Sequence, residues 1–201
     1  HIQYSEKVFF MMRLLLIIFL TLSFQTLTKA DDIRDFQIEG MSIGDSALNF
    51  FSEEEIKMNK QSGQYPNDEY ILYNFSSTMN MVTYDLFTMS IKKNDMKYII
   101  SAISGGVKYD NLDNCLKLKK DFNEDVASLF NNISKNENKY KSARDKSGNS
   151  EMHQTIYNFE SGDVITASCM DWSNETSIPK VFQTSIRSIS YTDFIRNRAY
   201  R

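Results

Sequence analysis

The feature that most constrains the fold is a regular stripe of apolar side chains near the middle of the chain. Between Asp113 and Ile133 the apolar residues recur at steps of three and four, and charged residues occupy most positions between them; the stripe comprises Cys115, Leu118, Phe122, Val126, Leu129, Phe130 and Ile133. This spacing predicts an α-helix with one buried face and one solvated face. Such a helix needs a partner surface to cover.

The partner surface is predicted by segments rich in aromatic and β-branched residues on both sides of this helix. Three strands are expected before it, at 70–75, 82–92 and 97–109, and three after it, at 153–159, 164–172 and about 181–191. Turns of hairpin length, such as 93–95 and 161–163, make the sheet mainly antiparallel. The sequence therefore predicts an α+β domain with about six strands and the long helix packed on one face.

Shorter helices are predicted at both ends of this arrangement. Asp45 or Ser46 is suited to cap a short helix that begins at Ala47, and Ser52 with Glu55 forms a capping box for a second one. A tail helix is expected over 193–199. The segment 135–150 reads as a polar, solvated loop with a positive bias; an anion-binding or partner-binding loop is the alternative.

The first 30 residues have the pattern of a leader and secretory signal peptide. Arg13 is followed by the short apolar run 14–20, and Thr28 and Ala30 are the small residues that a signal peptidase requires. The apolar run is shorter than the ~20 residues that a membrane span needs. We expect cleavage after Ala30, one globular domain over 31–201, no stable membrane span after cleavage, and a periplasmic or secreted location.

Two cysteines, Cys115 and Cys169, lie in the part of the chain that remains after cleavage. An even pair in an oxidising compartment is interpreted first as a disulfide. The stripe places Cys115 on the buried face of the helix, and Cys169 shares a strand face with Ile165 and Ala167. A bridge between them would close a loop of 54 positions, for which the chain-entropy model gives roughly 4 kcal/mol.

One short block resembles an enzyme motif. Gly44-Asp45-Ser46-Ala47-Leu48 is similar to the block that carries the nucleophilic serine in GDSL-type lipases and esterases, which implies Ser46 as nucleophile and a histidine as its base. That family needs a late Asp-x-x-His, whereas Ser150 stands three residues before His153. Helix capping by Ser46 explains the same residues, and a Ser46-centred hydrolase stays as the alternative.

No other group of residues in the sequence indicates a catalytic or metal-binding site. His153 cannot form a metal site with two cysteines that are expected to pair, and no spacing singles out a pair of catalytic carboxylates. The formal net charge is −3 and the sequence has no stripe of basic residues, so it does not indicate a nucleic-acid-binding surface. The sequence predicts no catalytic residues, no cofactor and no metal ion.

The block 35–56 (DFQIEGMSIGDSALNFFSEEEI), the signal peptide and the positions of the two cysteines together resemble a group of small exported proteins of unknown function from low-GC marine alphaproteobacteria. The resemblance implies that this protein is exported. A curved sheet rich in Tyr and Phe under one helix is suited to form a small-ligand pocket. The expected function is therefore non-enzymatic binding of a small molecule or of an envelope protein partner.

Overall fold

The computed structural model describes residues 32–76 and 81–201; the leader, the signal peptide and the expected cleavage after Ala30 lie outside the described residues. Seven strands form a single sheet in which all neighbours are antiparallel, in the order β1-β2-β3-β7-β6-β5-β4. The strands are β1 (Tyr70–Asn74), β2 (Leu86–Lys92), β3 (Ile100–Lys108), β4 (Ser134–Lys141), β5 (Glu151–Asn158), β6 (Val164–Asp171) and β7 (Val181–Arg187). The α+β class with a mainly antiparallel sheet is confirmed.

The expected number of about six strands is one too low, because β4 forms where a polar loop was expected. Every residue of β4 is exposed, and the strand is hydrogen-bonded only to β5, at one edge of the sheet. A strand with neither face buried has no apolar alternation for a sequence pattern to detect. Its lysines are typical of edge strands, where charge discourages pairing with another chain.

The long helix is present as α2 (Leu112–Leu129) and covers one face of β6 and β7. Asn111 caps its first turn by accepting a hydrogen bond from the backbone N–H of Asn114. Cys115 and Val126 of this helix are fully buried. The stripe therefore marks the helix and its buried face, although the helix ends four residues before Ile133.

The N-terminal segment fills the rest of this layer. Helix α1 (Glu53–Met58) begins with the predicted capping box between Ser52 and Glu55. The helix expected after Ser46 is only a 3-10 turn at Ala47–Asn49. The reason is that this segment is hydrogen-bonded to the chain at 98–100. The N–H groups of Gly44 and Ala47 donate to the carbonyl oxygens of Ile100 and Tyr98, and the N–H of Ile100 donates to the carbonyl oxygen of Asp45.

The opposite face of the sheet is only partly covered. Helix α3 (Ile189–Asn197) is capped by Ser188 and starts four residues earlier than expected. Tyr191 and Phe194 pack on Tyr70 and Ala102 at the β1–β3 end of the sheet. No helix of the described residues lies over the remainder of this face. Among the described residues, no helix combines the length and hydropathy needed to cross a bilayer.

Candidate functional site: a hydroxyl-lined cleft

The candidate site is the part of the sheet face that α3 leaves open. Strand alternation decides which side chains reach it. In β7, Phe182 and Ile186 lie in the apolar layers beneath α2 and the N-terminal segment, so Ser185 and Arg187 point the other way. The register places Ser185 directly between Ser104 of β3 and Thr166 of β6. One face of the central strands is therefore apolar and the other is polar.

This polar face forms the floor of a cleft of about 400 Å³. The floor carries six hydroxyl side chains, from Thr88, Ser90, Ser104, Thr166, Ser168 and Ser185. The rings of Tyr65, Tyr191 and Tyr200 form the wall on the side of α3. The volume lies in the range of ~300–1,000 Å³ that is usual for small-molecule sites.

Hydrogen bonds fix several of these hydroxyls in place. Thr166 Oγ1 and Ser185 Oγ lie 2.7 Å apart. Tyr191 Oη is 3.0 Å from Ser90 Oγ and 2.9 Å from Tyr65 Oη. Burial raises the pKa of Tyr65 well above its usual range. Its phenol therefore stays protonated at neutral pH and can serve only as a neutral hydrogen-bonding group.

Arg187 is the one charged side chain among the described residues that line the cleft. Its Nε is buried and has no hydrogen-bond partner, and none of the ion pairs of the described chain includes its guanidinium. Burial lowers the pKa of Arg187 below the usual arginine value, although a guanidinium remains charged at neutral pH. A partly buried cation without a counter-charge is costly, and such groups concentrate at functional sites.

The residues singled out by sequence lie elsewhere. Ser46 Oγ donates a hydrogen bond to the carbonyl oxygen of Lys97 at 2.6 Å and accepts one from the backbone N–H of Leu48 at 3.3 Å. His153 is paired with the carboxylate of Glu151 at 2.9 Å. Neither residue lines the cleft, and the hydrogen bonds of the described chain do not join one to the other. Ser46 thus acts as the expected N-cap of a short turn.

The two cysteines are brought together as expected from their faces. The Cys115 and Cys169 sulfurs lie 2.06 Å apart and the Cα atoms 5.8 Å apart, the geometry of a disulfide. The pair is fully buried with Ala167 and Phe182 beneath α2, on the side of the sheet opposite the cleft. Its position is that of a structural cross-link between helix and sheet.

The basic residues of 135–150 do not converge on an anion site. Lys135 pairs with Glu137, and Lys139 pairs with Glu151. Asp145 accepts hydrogen bonds from Ser147 and Ser150 and so organises the turn between β4 and β5. Over residues 32–76 and 81–201 there is no group of three or more His, Cys, Asp or Glu side chains that could hold a metal ion.

Sequence reasoning missed Arg187 and the hydroxyl floor. The available signal was the alternation Gln183-Ser185-Arg187 in one strand and Thr166-Ser168 in another. Polar side chains at every second position of an inner strand indicate a second face that is not packed against a helix. A search of the sequence for apolar positions alone does not detect that polar face.

Comparison with known proteins gives no match to a family, to a curated protein or to a solved structure.

Proposed function

We propose that this chain is an exported, non-enzymatic domain that binds a small polar molecule in the cleft opposite α2. The observation that carries the proposal is the cleft itself. A concave site of about 400 Å³ with convergent hydroxyl, amide and guanidinium groups has the size and chemistry of a small-molecule site. A ligand would replace the water that the polar floor otherwise contacts.

Binding is favoured over catalysis because of the kinds of side chain that line the cleft. The described residues along it include Ser, Thr, Gln, Tyr and one Arg, and no Asp, Glu, His or Cys. Those four types supply most general acids, general bases and activated nucleophiles. The cleft residues are instead suited to orient a ligand by hydrogen bonds.

Three observations support an exported location. The leader pattern before Asp31 has the three parts of a signal peptide. The cysteines stand in disulfide geometry, and disulfides persist in oxidising compartments. The resemblance to small exported proteins of marine alphaproteobacteria points to the same location.

The proposal is tested by thermal unfolding of the exported, purified protein in a panel of polar metabolites. A ligand that binds only the native state raises the melting temperature in a concentration-dependent way. In the variant Ser104→Leu, a larger side chain fills the middle of the floor at a residue whose hydroxyl makes no hydrogen bond within the described chain. We expect Ser104→Leu to abolish the shift produced by any active compound.

The matched control is Ser134→Leu, which makes the same change at an exposed position of β4 outside the cleft. This variant should respond to the compound like the wild type. A compound that binds Ser104→Leu as well as it binds the wild type would show that its site is elsewhere. A panel without any stabilising compound would overturn the proposal.

A further inference from the structure

We infer that the ligand of this cleft is a carboxylic acid that carries several hydroxyl groups, with its carboxylate bound by Arg187. The inference rests on the proposed function, because it names the class of molecule that the cleft would hold. It follows from the isolation of one guanidinium in a site otherwise lined by neutral hydrogen-bonding groups.

The position of Arg187 makes it a ligand-binding group rather than part of a surface ion pair. It is the last residue of the central strand β7, with Ala102 of β3 on one side and Val164 of β6 on the other. Neither neighbour can offer it a hydrogen bond from a side chain. The groups whose electrostatic influence reaches Arg187 are Tyr191, Arg196, Tyr65 and Tyr140, and none of these four is a carboxylate.

The guanidinium is therefore left with an unsatisfied charge and an unsatisfied donor. Nε is buried without an acceptor, and the described residues that line the cleft include no carboxylate. A planar guanidinium matches a carboxylate with two parallel hydrogen bonds. A carboxylate bound at the guanidinium would supply the missing negative charge.

The rest of the cleft selects among anions. One positive charge is balanced by one carboxylate, whereas a phosphate dianion is usually held by several cations or by free backbone N–H groups. The hydroxyl floor lies on β2, β3, β7 and β6, each of which pairs with a neighbour on both sides, so their backbone N–H groups are used in the ladders between strands. The lining also has no acidic group to receive an ammonium, which disfavours amino acids.

The hydroxyl floor indicates what the remainder of the ligand looks like. Six Ser and Thr hydroxyls both donate and accept hydrogen bonds, as do Gln154 and Gln183 nearby. Such groups pair well with the hydroxyls of a polyol or a sugar. The ring of Tyr200, which is 61 % exposed, gives this part of the ligand a flat apolar surface to lie against.

Isothermal titration calorimetry on the exported protein tests this with four sets of probes. The hydroxylated acids are D-glucuronate, D-gluconate and quinate. The neutral counterparts are glucose and methyl glucoside, the cationic one is glucosamine, and the phosphates are glucose 6-phosphate and inorganic phosphate. We expect at least one hydroxylated acid to bind and to bind more tightly than every probe of the other three sets.

Arg187→Met should weaken binding of that acid by about thirtyfold or more, because the carboxylate loses its charged partner. Arg187→Lys should fall between Arg187→Met and the wild type, since lysine keeps the charge and loses the planar fork. Arg144→Met is the matched control at an exposed position outside the cleft and should bind like the wild type. Arg187→Met should remain folded, since it removes an uncompensated charge.

Several results would overturn the inference, and they separate it from the proposed function. Tighter binding of a neutral, cationic or phosphorylated probe, or an acid whose affinity is unchanged in Arg187→Met, would show that the ligand class is wrong while a cleft ligand still exists. Absence of binding by every probe, when another compound stabilises the wild type but not Ser104→Leu, would have the same meaning. Absence of any binding compound would overturn both proposals.

Discussion

The Cα atoms of Cys115 and Cys169 lie 5.8 Å apart, so that the first turn of α2 is covalently linked to β6. The two residues are separated by 54 positions and are both fully buried. The long helix is thus fixed to the sheet at its N-terminal end, while Val126 and Phe122 hold the remainder by packing.

Cys169→Ser should lower the free energy of unfolding by about 2–5 kcal/mol, because the cross-link that restricts the unfolded chain is lost. Urea denaturation measures the change. Peptide mapping without reductant should recover a fragment that joins Cys115 to Cys169. Two thiols that react freely with an alkylating reagent in the native protein would contradict this prediction.

Ser46→Ala should cost about 1 kcal/mol of stability, because the cap of the 3-10 turn is lost. Ser46→Thr retains both a donor for the Lys97 carbonyl and an acceptor for the Leu48 N–H, so it should retain most of the stability. Ser46→Asp cannot donate and should not replace the serine fully. Urea midpoints of the three variants check this order.

A fluorophosphonate probe separates this capping role from the alternative of a Ser46-centred hydrolase. A capping serine without a base should stay unlabelled. Labelling of the wild type that disappears in Ser46→Ala would support the hydrolase and contradict the binding proposal.

The stability of the β4–β5 turn should depend on pH through Asp145. Hydrogen bonds from Ser150 and Ser147 hold the pKa of this carboxyl well below its usual range in the folded state. A group with a lowered native pKa contributes stability above its unfolded pKa of ~3.9, and this contribution is lost as the pH falls below that value. The urea midpoint of the wild type should therefore decrease as the pH is lowered from 5 towards 2.

Asp145→Asn should have a lower midpoint than the wild type at pH 7 and a shallower decline below pH 5. Asp110→Asn is the matched control, since Asp110 is exposed and its side chain makes no hydrogen bond within the described residues. It should follow the wild-type profile. Parallel profiles for wild type and Asp145→Asn would show that the seryl hydrogen bonds do not stabilise the ionised carboxylate.

Gly105→Ala should destabilise the fold by about 1–3 kcal/mol through overpacking. A Cβ at this position would lie 2.6 Å from the ring of Tyr84. The ring cannot move aside easily, because Glu39 accepts hydrogen bonds from the backbone of Val82, Thr83 and Tyr84. In the Tyr84→Ala background the same substitution should cost much less, and urea unfolding of all four proteins measures this coupling. Equal costs in the two backgrounds would contradict the close contact.

Mass spectrometry of the protein exported from a bacterial host should give Asp31 as the N-terminal residue. Ala30→Leu should block this cleavage, because a signal peptidase requires a small residue at that position. Retention of residues 12–30 in the wild type would indicate an N-terminal anchor.

Several elements are encoded locally and could be predicted from the sequence. The capping box of Ser52 and Glu55 involves residues three positions apart, and the stripe of α2 repeats every three or four residues. The pairing of Cys115 with Cys169 could also be predicted from the sequence, because each cysteine lies on the apolar face of its own helix or strand. In each case the determining interactions lie within one turn, one strand or one face.

The sequence by itself thus determined the α+β class, the long helix and the apolar face of β6 that holds Cys169. Only the tertiary structure decided that β4 is a strand, because its pairing with β5 involves no buried face, and that β7 lies between β3 and β6. It also decided that Arg187 has no counter-charge among the described residues that line the cleft, since this depends on residues up to 123 positions away, such as Gln64, that meet only there. Burial and charge pairing are properties of the assembled chain, which is why the site emerged from the fold and not from a motif.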